Sequence, residues 1–212
     1  MAISNEQAVF FIIDMQNGYV KADAPLCIAG AEATLPLCAR ALEHARDLNI
    51  PIYHIRREYA ADGSDVEVAR YEAWLKAGRP ISTASEQSDS LDFPKMVQPK
   101  EGDNVLTKPR YSAFLNTNLD EQLRARSINT VIITGTTTPN CIRATCTDAL
   151  SLSYNVVIIE DCTSSRTPEV QAANIADMAV MGAQIIDLAT FCESGLETCR
   201  DIVSEFLEAT GQ

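Results

Sequence analysis

Short apolar runs alternate along the chain with longer segments whose apolar residues recur at helical spacing. The run AVFFIID (8–14) is apolar up to its final carboxylate, which is typical of a strand covered on both faces. The segment AEATLPLCARALEHARDLN (31–49) predicts a helix with Pro36 in its early part. Residues 79–104 are polar and irregular and predict a long loop. The same reasoning predicts further strands over 50–57, 104–108, 129–135, 155–161 and 183–189, and further helices over 65–78, 119–128, 139–153, 167–182 and 194–209.

The alternation of six strands with helices defines the expected architecture. It predicts an α/β fold, a three-layer α/β/α sandwich around a six-stranded, mostly parallel, doubly wound sheet. The length of 212 residues suits one domain, so residues 1–212 are expected to form a single folded unit. In such sheets ligands bind beyond the carboxyl ends of the strands, so the residues that follow each strand are the first candidates for chemistry.

The composition argues against several classes of function. The formal net charge is −12, and an acidic surface repels phosphate backbones, so no nucleic-acid partner is expected. The longest uninterrupted apolar run, 8–13, is too short to cross a membrane, and no secretory signal is visible. Seven cysteines without CxxC spacing fit reduced thiols in a cytoplasmic protein. The two histidines, His44 and His54, lie in different predicted elements, so no metal site is expected.

Three reactive side chains follow three of the predicted strands. Asp14 ends the first strand, Lys108 ends the third, and Cys141 lies just after the fourth. Taken singly, these could be a turn carboxylate, a surface lysine and a buried thiol. Because the carboxyl ends of parallel strands meet at one edge of a sheet, the three together predict a functional site.

The residues before Cys141 predict the start of a helix. Thr138 is a good N-cap and Pro139 suits the first helical position, which places Cys141 in the first turn. The positive end of the helix dipole and a nearby Lys108 ammonium favour a thiolate and predict a lowered thiol pKa. Backbone N–H groups of the same turn can bind an oxyanion. Cys141 is therefore the predicted nucleophile.

These residues lie in three motifs, IIDMQNGY (12–19), LTKPRYSAF (106–114) and VIITGTTTPNCIRATCTDAL (131–150). The later segment NVVIIEDCTSS (155–165) fits the same pattern. In this order and spacing they resemble the isochorismatase-like cysteine hydrolase superfamily, from about residue 7 to about residue 190.

The resemblance implies a catalytic site and an assembly. It implies an Asp–Lys–Cys triad, which maps onto Asp14, Lys108 and Cys141. It also implies a cis peptide bond between Thr136 and Thr137, with the N–H groups of Thr137 and Cys141 as the oxyanion hole. A homodimer or homotetramer is expected on the same ground.

Details of the motifs favour one branch of that superfamily. Nicotinamidases carry metal ligands after the second strand, where this chain has arginines in IYHIRREYAADGSD (52–65), so neither a metal nor nicotinamide is expected. Isochorismatases proper lack the nucleophilic cysteine, so Cys141 argues against vinyl-ether hydrolysis. The segment TTTPNCIRAT (136–145) is most similar to the branch that acts on carbamoyl and ureido compounds. The expected reaction is hydrolysis of a C–N bond in a small amide, carbamoyl or ureido compound, with release of ammonia or an amine.

Five residues are candidates for shaping the substrate pocket, and each has a structural alternative. Gln16 and Tyr19 either line the pocket or pack in the turn after the first strand. Phe114 either forms an apolar wall of the pocket or packs elsewhere, and Arg143 either reaches the mouth of the site or braces the fold. Arg57, one of two arginines at the end of the second strand, either holds a substrate carboxylate or forms a surface salt bridge.

The resemblance leaves one alternative within the superfamily, a hydrolase of another small molecule such as a nicotinamide-type amide or a vinyl ether. Three functions of other classes also remain as alternatives. A nucleotide- or cofactor-binding protein would carry a glycine-rich loop after the first strand, but DMQNGYVKADAP (14–25) has no GxGxxG, so no cofactor is expected. A non-catalytic binding module would not need the three reactive residues intact. A redox sensor would use Cys141 as a peroxide-reactive thiol.

Overall fold

In a computed structural model, residues 1–211 form a six-stranded sheet flanked by helices. The strands are β1 (Ala8–Ile13), β2 (Ile52–Arg57), β3 (Asn104–Lys108), β4 (Thr130–Thr136), β5 (Asn155–Ser164) and β6 (Gln184–Ile186). The α-helices are α1 (Asn17–Val20), α2 (Ala31–Asp47), α3 (Tyr71–Lys76), α4 (Leu119–Arg124), α5 (Arg143–Ser151), α6 (Pro168–Met181), α7 (Leu188–Ser194) and α8 (Ile202–Thr210). Short 3-10 turns cover Asn5–Gln7, Val68–Arg70 and Lys95–Val97.

The sheet is parallel throughout and has the order β3-β2-β1-β4-β5-β6. The predicted doubly wound parallel sheet is therefore confirmed. The direction of winding reverses between β1 and β4, which pair from Ala8 and Thr130 up to Ile13 and Gly135. At such a reversal the flanking connections leave on opposite faces of the sheet, and a crevice opens at the carboxyl ends of the two strands.

The two faces of the sheet carry separate hydrophobic cores. Phe10 and Ile12 of β1 pack on one side with α2 and α7, and Phe11 and Ile13 pack on the other side with α4, α5 and α6. All of β1 is buried, because successive side chains of a strand point to opposite faces and both faces are covered. The three predicted layers are confirmed.

The structure corrects the last predicted strand (183–189) and the last predicted helix (194–209). Strand β6 ends early because Asp187 caps α7 and accepts an N–H of that helix through its side chain. Gly195 has a φ of +57° and ends α7, and Asp201 then caps a separate helix, α8. Helix α7 therefore begins within the predicted strand, and the predicted helix over 194–209 is helical mainly over α8.

Two other predicted helices differ in form. The segment 65–78 is helical only over the turn Val68–Arg70 and α3, because Asp65 accepts a hydrogen bond from the Ala60 backbone at 2.8 Å and holds a turn there. The segment 139–153 begins with a π-helical turn before α5. Within residues 1–211, no helix combines the length and apolar character that a membrane crossing requires.

Candidate active site

Three reactive side chains meet at the carboxyl ends of β1, β3 and β4. Asp14, Lys108 and Cys141 are 1%, 0% and 4% exposed. Lys108 Nζ lies 2.9 Å from Asp14 Oδ2 and 3.5 Å from Cys141 Sγ. The sequence placed these residues up to 127 positions apart, and the parallel topology brings them into contact.

Lys108 is saturated as a donor, whereas Asp14 is not saturated as an acceptor. The third contact of Lys108 Nζ is the backbone oxygen of Arg110, at 3.0 Å. An ammonium has three N–H donors, so each one has an acceptor. Within the described residues, Asp14 Oδ1 is buried and has no hydrogen-bond partner. One carboxylate oxygen is thus held by the lysine, and the other remains free to take a proton.

The backbone around the site has an unusual conformation at three points. Asp14 has a φ of +53°, a left-handed value that is uncommon for a residue other than glycine. Gly135 has a φ of +110°, and a Cβ at that position would lie 2.1 Å from the backbone oxygen of Ile13. Only glycine allows this approach of β4 to the end of β1. The peptide bond between Thr136 and Thr137, just after this glycine, is cis.

Cys141 lies in a π-helical turn, Thr138–Ile142, and not in the first turn of a regular α-helix. Thr138 is inside this turn and does not cap it, because its hydroxyl donates to the Ser164 oxygen at 2.9 Å and contacts Gln171 Oε1 at 2.6 Å. The backbone N-cap is Thr137. The predicted cap is therefore wrong, since the hydroxyl is occupied by a tertiary partner.

The structure also corrects the predicted pKa of Cys141. Burial, followed by the negative charge of Asp14, raises the pKa of the thiol to about 12, although Lys108 and Arg57 lower it. The raised pKa favours the neutral thiol of Cys141 over a preformed thiolate. Chemistry at Cys141 requires a base in contact, which Asp14 can supply.

A small cavity of about 190 Å³ opens onto Cys141 and Asp14. Thr136 and Thr137 line it on one side, and Tyr19 lies on its wall. This volume is below the roughly 300–1,000 Å³ typical of pockets for drug-sized ligands, so it suits a small molecule. Burial raises the pKa of Tyr19, with the Asp14 charge adding to the effect, so its phenol is neutral.

The structure places two of the five candidate pocket residues in this cavity, Tyr19 and Arg57. Arg57 is 1% exposed, and its guanidinium lies 4.9 Å from the ring centroid of Tyr59 and 4.7 Å from that of Tyr111. One Nη pairs with Glu67. Arg57 is therefore a buried, paired cation, and not a residue of a surface salt bridge.

The other three candidates lie outside the cavity. Gln16 is fully buried and exchanges hydrogen bonds with the backbone of Arg57, at 2.8 and 3.0 Å, so it fixes the end of β2. Phe114 packs against Phe11 and a tyrosine in the core. Arg143 pairs with Asp177 and lines a separate depression, so it braces α5 against α6.

The sequence did not single out seven of the residues that line the cavity, the segment 25–28 and three longer polar side chains, Arg70, Tyr111 and Asn140. Tyr111 follows Lys108 by three positions, so its proximity to a strand end could have been used. Asn140 precedes Cys141 in the same turn. Arg70 reaches the cavity only because the chain from 58 to 70 folds back over the end of β2, which no local pattern predicts.

The two histidines lie away from the cavity. His54 Nε2 is 3.0 Å from Asp103 Oδ2, and the His44 ring packs edge-on to Phe191 at 5.2 Å. Over residues 1–211, no group of three or more histidine, cysteine, aspartate and glutamate side chains is arranged to hold a metal ion.

Comparisons with known proteins agree with this fold. A family model described as the isochorismatase domain matches residues 8–190. A probable inactive nicotinamidase of Arabidopsis thaliana is 34% identical over 196 residues, 91% of this chain and 98% of that protein. The ureidoacrylate amidohydrolase RutB of Pantoea ananatis is 30% identical over 205 residues, 89% of this chain and 82% of that protein. The crystal structure of an isochorismatase family protein of Desulfovibrio vulgaris has a TM-score of 0.82 and 38% identity, covering 87% of this chain and 96% of that one.

Proposed function

The chain belongs to the isochorismatase family of hydrolases, and from that membership we propose that it is a metal-independent cysteine hydrolase. It cleaves a C–N bond of a small amide, carbamoyl or ureido compound through a covalent intermediate on Cys141 and releases ammonia or an amine. The observation that carries the proposal is the contact of Lys108 with both Asp14 and Cys141, two residues that line the cavity of about 190 Å³. The likeness to a ureidoacrylate amidohydrolase supports the substrate class.

The first half of the reaction makes a bond to sulfur. Asp14 takes the thiol proton of Cys141 as Sγ attacks the carbonyl carbon, because the raised pKa favours the neutral thiol over the thiolate. The N–H groups of Thr137 and Cys141 hold the oxyanion that forms. When the tetrahedral intermediate collapses, the C–N bond breaks and the protonated Asp14 gives its proton to the departing nitrogen.

The second half of the reaction returns the enzyme to its starting state. A water molecule attacks the thioester or thiocarbamate carbon, and Asp14 takes a proton from that water. The C–S bond then breaks, the acid product leaves, and Cys141 recovers its proton. Lys108 keeps its contacts to the carboxylate and the sulfur throughout, and so stabilises whichever of the two carries negative charge.

Replacement of the nucleophile tests this proposal. Cys141→Ala is expected to reduce ammonia release from amides and ureides by about 10⁴-fold or more, since the covalent route is lost. The matched control is Cys146→Ala, which removes another buried thiol of the same core and should leave the rate within about twofold. Intact-protein mass spectrometry of quenched turnover should show an adduct on Cys141, and prolonged chelation should leave the rate unchanged.

The same assay separates the main alternative. A relative at 34% identity bears the name of a probable inactive nicotinamidase, which favours a non-catalytic binding module as the second candidate. Such a module would bind a small molecule in the cavity without adduct or ammonia. Full activity of Cys141→Ala would instead remove the cysteine mechanism while keeping a hydrolase.

The proposal also includes one domain over residues 1–212 and a homodimer or homotetramer in the cytoplasm. Support for assembly comes from exposed apolar side chains on α8, among them Ile202 and Phe206 at 47% and 57% exposure. Large apolar side chains grouped on one surface are typical of association sites.

A further inference from the structure

The catalytic cavity contains one cation that no carboxylate balances. Asp14 is paired with Lys108, and Glu67 is paired with Arg57, so each of these pairs is neutral. Arg70 also lines the cavity, and within residues 1–211 no carboxylate forms an ion pair with it. The cavity thus carries a single positive charge in a chain whose formal net charge is −12.

Arg70 is held at the cavity by an aromatic ring. It is the last residue of the 3-10 turn Val68–Arg70 and is half-buried. Its guanidinium lies 5.9 Å from the ring centroid of Tyr111, and Nη1 donates to the Tyr111 hydroxyl at 3.3 Å. A guanidinium has five N–H donors in a planar fork, so this hydrogen bond leaves most of them for a ligand.

Arg57 differs from Arg70 in each of these respects. Its guanidinium lies near two tyrosine rings and one Nη pairs with Glu67, while its buried Nε has no hydrogen-bond partner within the described residues. Because Glu67 balances its charge, Arg57 forms a wall of the cavity that adds no net charge. Arg70 is therefore the cation of the cavity whose charge is left for an anion to balance.

We propose that Arg70 determines substrate specificity by binding a carboxylate of the substrate, and that the substrate is a monoanionic amide or ureide. The inference rests on the proposed function, because it concerns the same cavity. The carboxylate occupies the Arg70 side of the cavity while the scissile carbonyl lies at Cys141. The cavity of about 190 Å³ limits the separation of the two groups to a few atoms.

The pairing is favourable for two physical reasons. A guanidinium and a carboxylate match in geometry and form two parallel, charge-assisted hydrogen bonds. A carboxylate also neutralises the one unbalanced charge of the cavity, whereas a neutral amide leaves it unbalanced beside a partly desolvated surface.

The experiment uses pairs of probes that differ only in charge. Succinamate and β-ureidopropionate each carry a carboxylate, and isohexanamide and isopentylurea replace that carboxylate with an isopropyl group of the same shape. Arg70→Gln should raise KM for the two anionic probes by about 10- to 100-fold, the range expected for loss of a hydrogen-bonded charge contact. KM for the neutral probes should stay within about twofold, and kcat should change little for either class.

Two further variants make the result specific to this side chain. Arg70→Lys keeps the charge and loses the planar fork, so its KM for the anionic probes should fall between wild type and Arg70→Gln. The matched control is Arg56→Gln, whose side chain pairs with Glu58 and bonds Thr107 outside the cavity. That variant should bind and hydrolyse all four probes as the wild type does.

Calorimetry of the binding of the four probes to the Cys141→Ala protein distinguishes failure of this inference from failure of the proposed function. Suppose that the Cys141→Ala protein binds the anionic probes, that adding Arg70→Gln abolishes this binding, and that the wild type hydrolyses none of the probes. The hydrolase proposal then fails, and the anion site at Arg70 stands. Equal loss of anionic and neutral probes in Arg70→Gln overturns the role of Arg70. A wild-type protein that prefers the neutral probes overturns the substrate class.

Discussion

The sheet carries a buried polar cluster at each end, and the two clusters are built in opposite ways. The carboxyl-end cluster consists of Asp14, Lys108 and Cys141, and the amino-end cluster consists of Asn129, Asn155 and Asp201. The carboxyl-end cluster lies at the ends of β1, β3 and β4, and the amino-end cluster lies beside the starts of β4 and β5. Every residue of the two clusters is at most 9% exposed. Similar burial of polar groups thus serves two different purposes.

The amino-end cluster is saturated with hydrogen bonds. Asp201 Oδ1 accepts from Asn155 at 2.8 Å and from the Ser204 backbone at 2.9 Å, and Oδ2 accepts from the Ser204 hydroxyl at 2.7 Å. Asn129 Nδ2 donates a further hydrogen bond to Asp201 Oδ2 at 3.2 Å. Burial alone would push the pKa of Asp201 upward, but these donated hydrogen bonds outweigh it and hold the pKa below its usual value. This cluster anchors α8 to the sheet.

The carboxyl-end cluster is left incomplete. Asp14 Oδ1 has no partner in the described part of the chain, the Cys141 thiol has a raised pKa, and an open cavity lies above both. Such a cluster costs stability, because buried charge is poorly compensated unless every donor and acceptor is matched. The two clusters thus differ in how completely their hydrogen bonds are satisfied and not in burial or polarity, and the incomplete one is the cluster at which we propose that chemistry takes place.

Removing both charges of the carboxyl-end cluster is expected to have the largest effect on activity and tests the contrast between the two clusters. The double variant Asp14→Asn/Lys108→Met should lose at least about 10³-fold in ammonia release, because it removes the base and its ammonium partner. Its free energy of unfolding should fall by no more than about 1 kcal/mol or should rise, since neutral replacements of a buried ion pair are often stabilising.

Urea unfolding monitored by circular dichroism measures the stability of that variant beside its activity. The single variant Asp14→Asn is the control, because it leaves a buried ammonium without a counter-charge and should cost about 3–5 kcal/mol. A loss of that size in the double variant would show that the carboxyl-end cluster holds the fold together, which would contradict the contrast.

The matching substitution in the amino-end cluster should lower stability and leave activity unchanged. Asp201→Ala removes the cap of α8 and leaves the side-chain N–H groups of Asn129 and Asn155 without their acceptor. The expected loss in the free energy of unfolding is about 2–4 kcal/mol, with kcat and KM within about twofold of wild type. Asp201→Asn keeps an acceptor oxygen and should cost less. A selective loss of activity without loss of stability would break the comparison.

The sequence predicted the carboxyl-end cluster but not the amino-end one. Asp14, Lys108 and Cys141 follow strands, and parallel topology alone brings strand ends together. Asn129 directly precedes β4 and Asn155 begins β5, but their partner Asp201 follows a helix break at Gly195 that the apolar pattern did not show.

Two features of the active site depend on tertiary structure and were beyond the sequence. The pKa of Cys141 was predicted to be low from its place near a helix N-terminus, but its direction is set by complete burial, which a local pattern does not reveal. Arg70 lies in a predicted helix, and its place in the cavity depends on the path of the chain between β2 and α3.

The smallest effect expected is a pH dependence that belongs to the amino-end cluster. The pKa of Asp201 is depressed in the folded protein, so its contribution to stability is present above the unfolded pKa of about 3.9 and is lost as the pH falls through the folded value. The gap in unfolding free energy between wild type and Asp201→Asn should therefore be constant from pH 7 to about pH 5 and should narrow below about pH 4. Urea unfolding of both proteins across this range measures the gap. A gap that widens as the pH falls would mean that the hydrogen bonds of Asp201 favour its protonated form, and the amino-end cluster would then be no better satisfied than the carboxyl-end one.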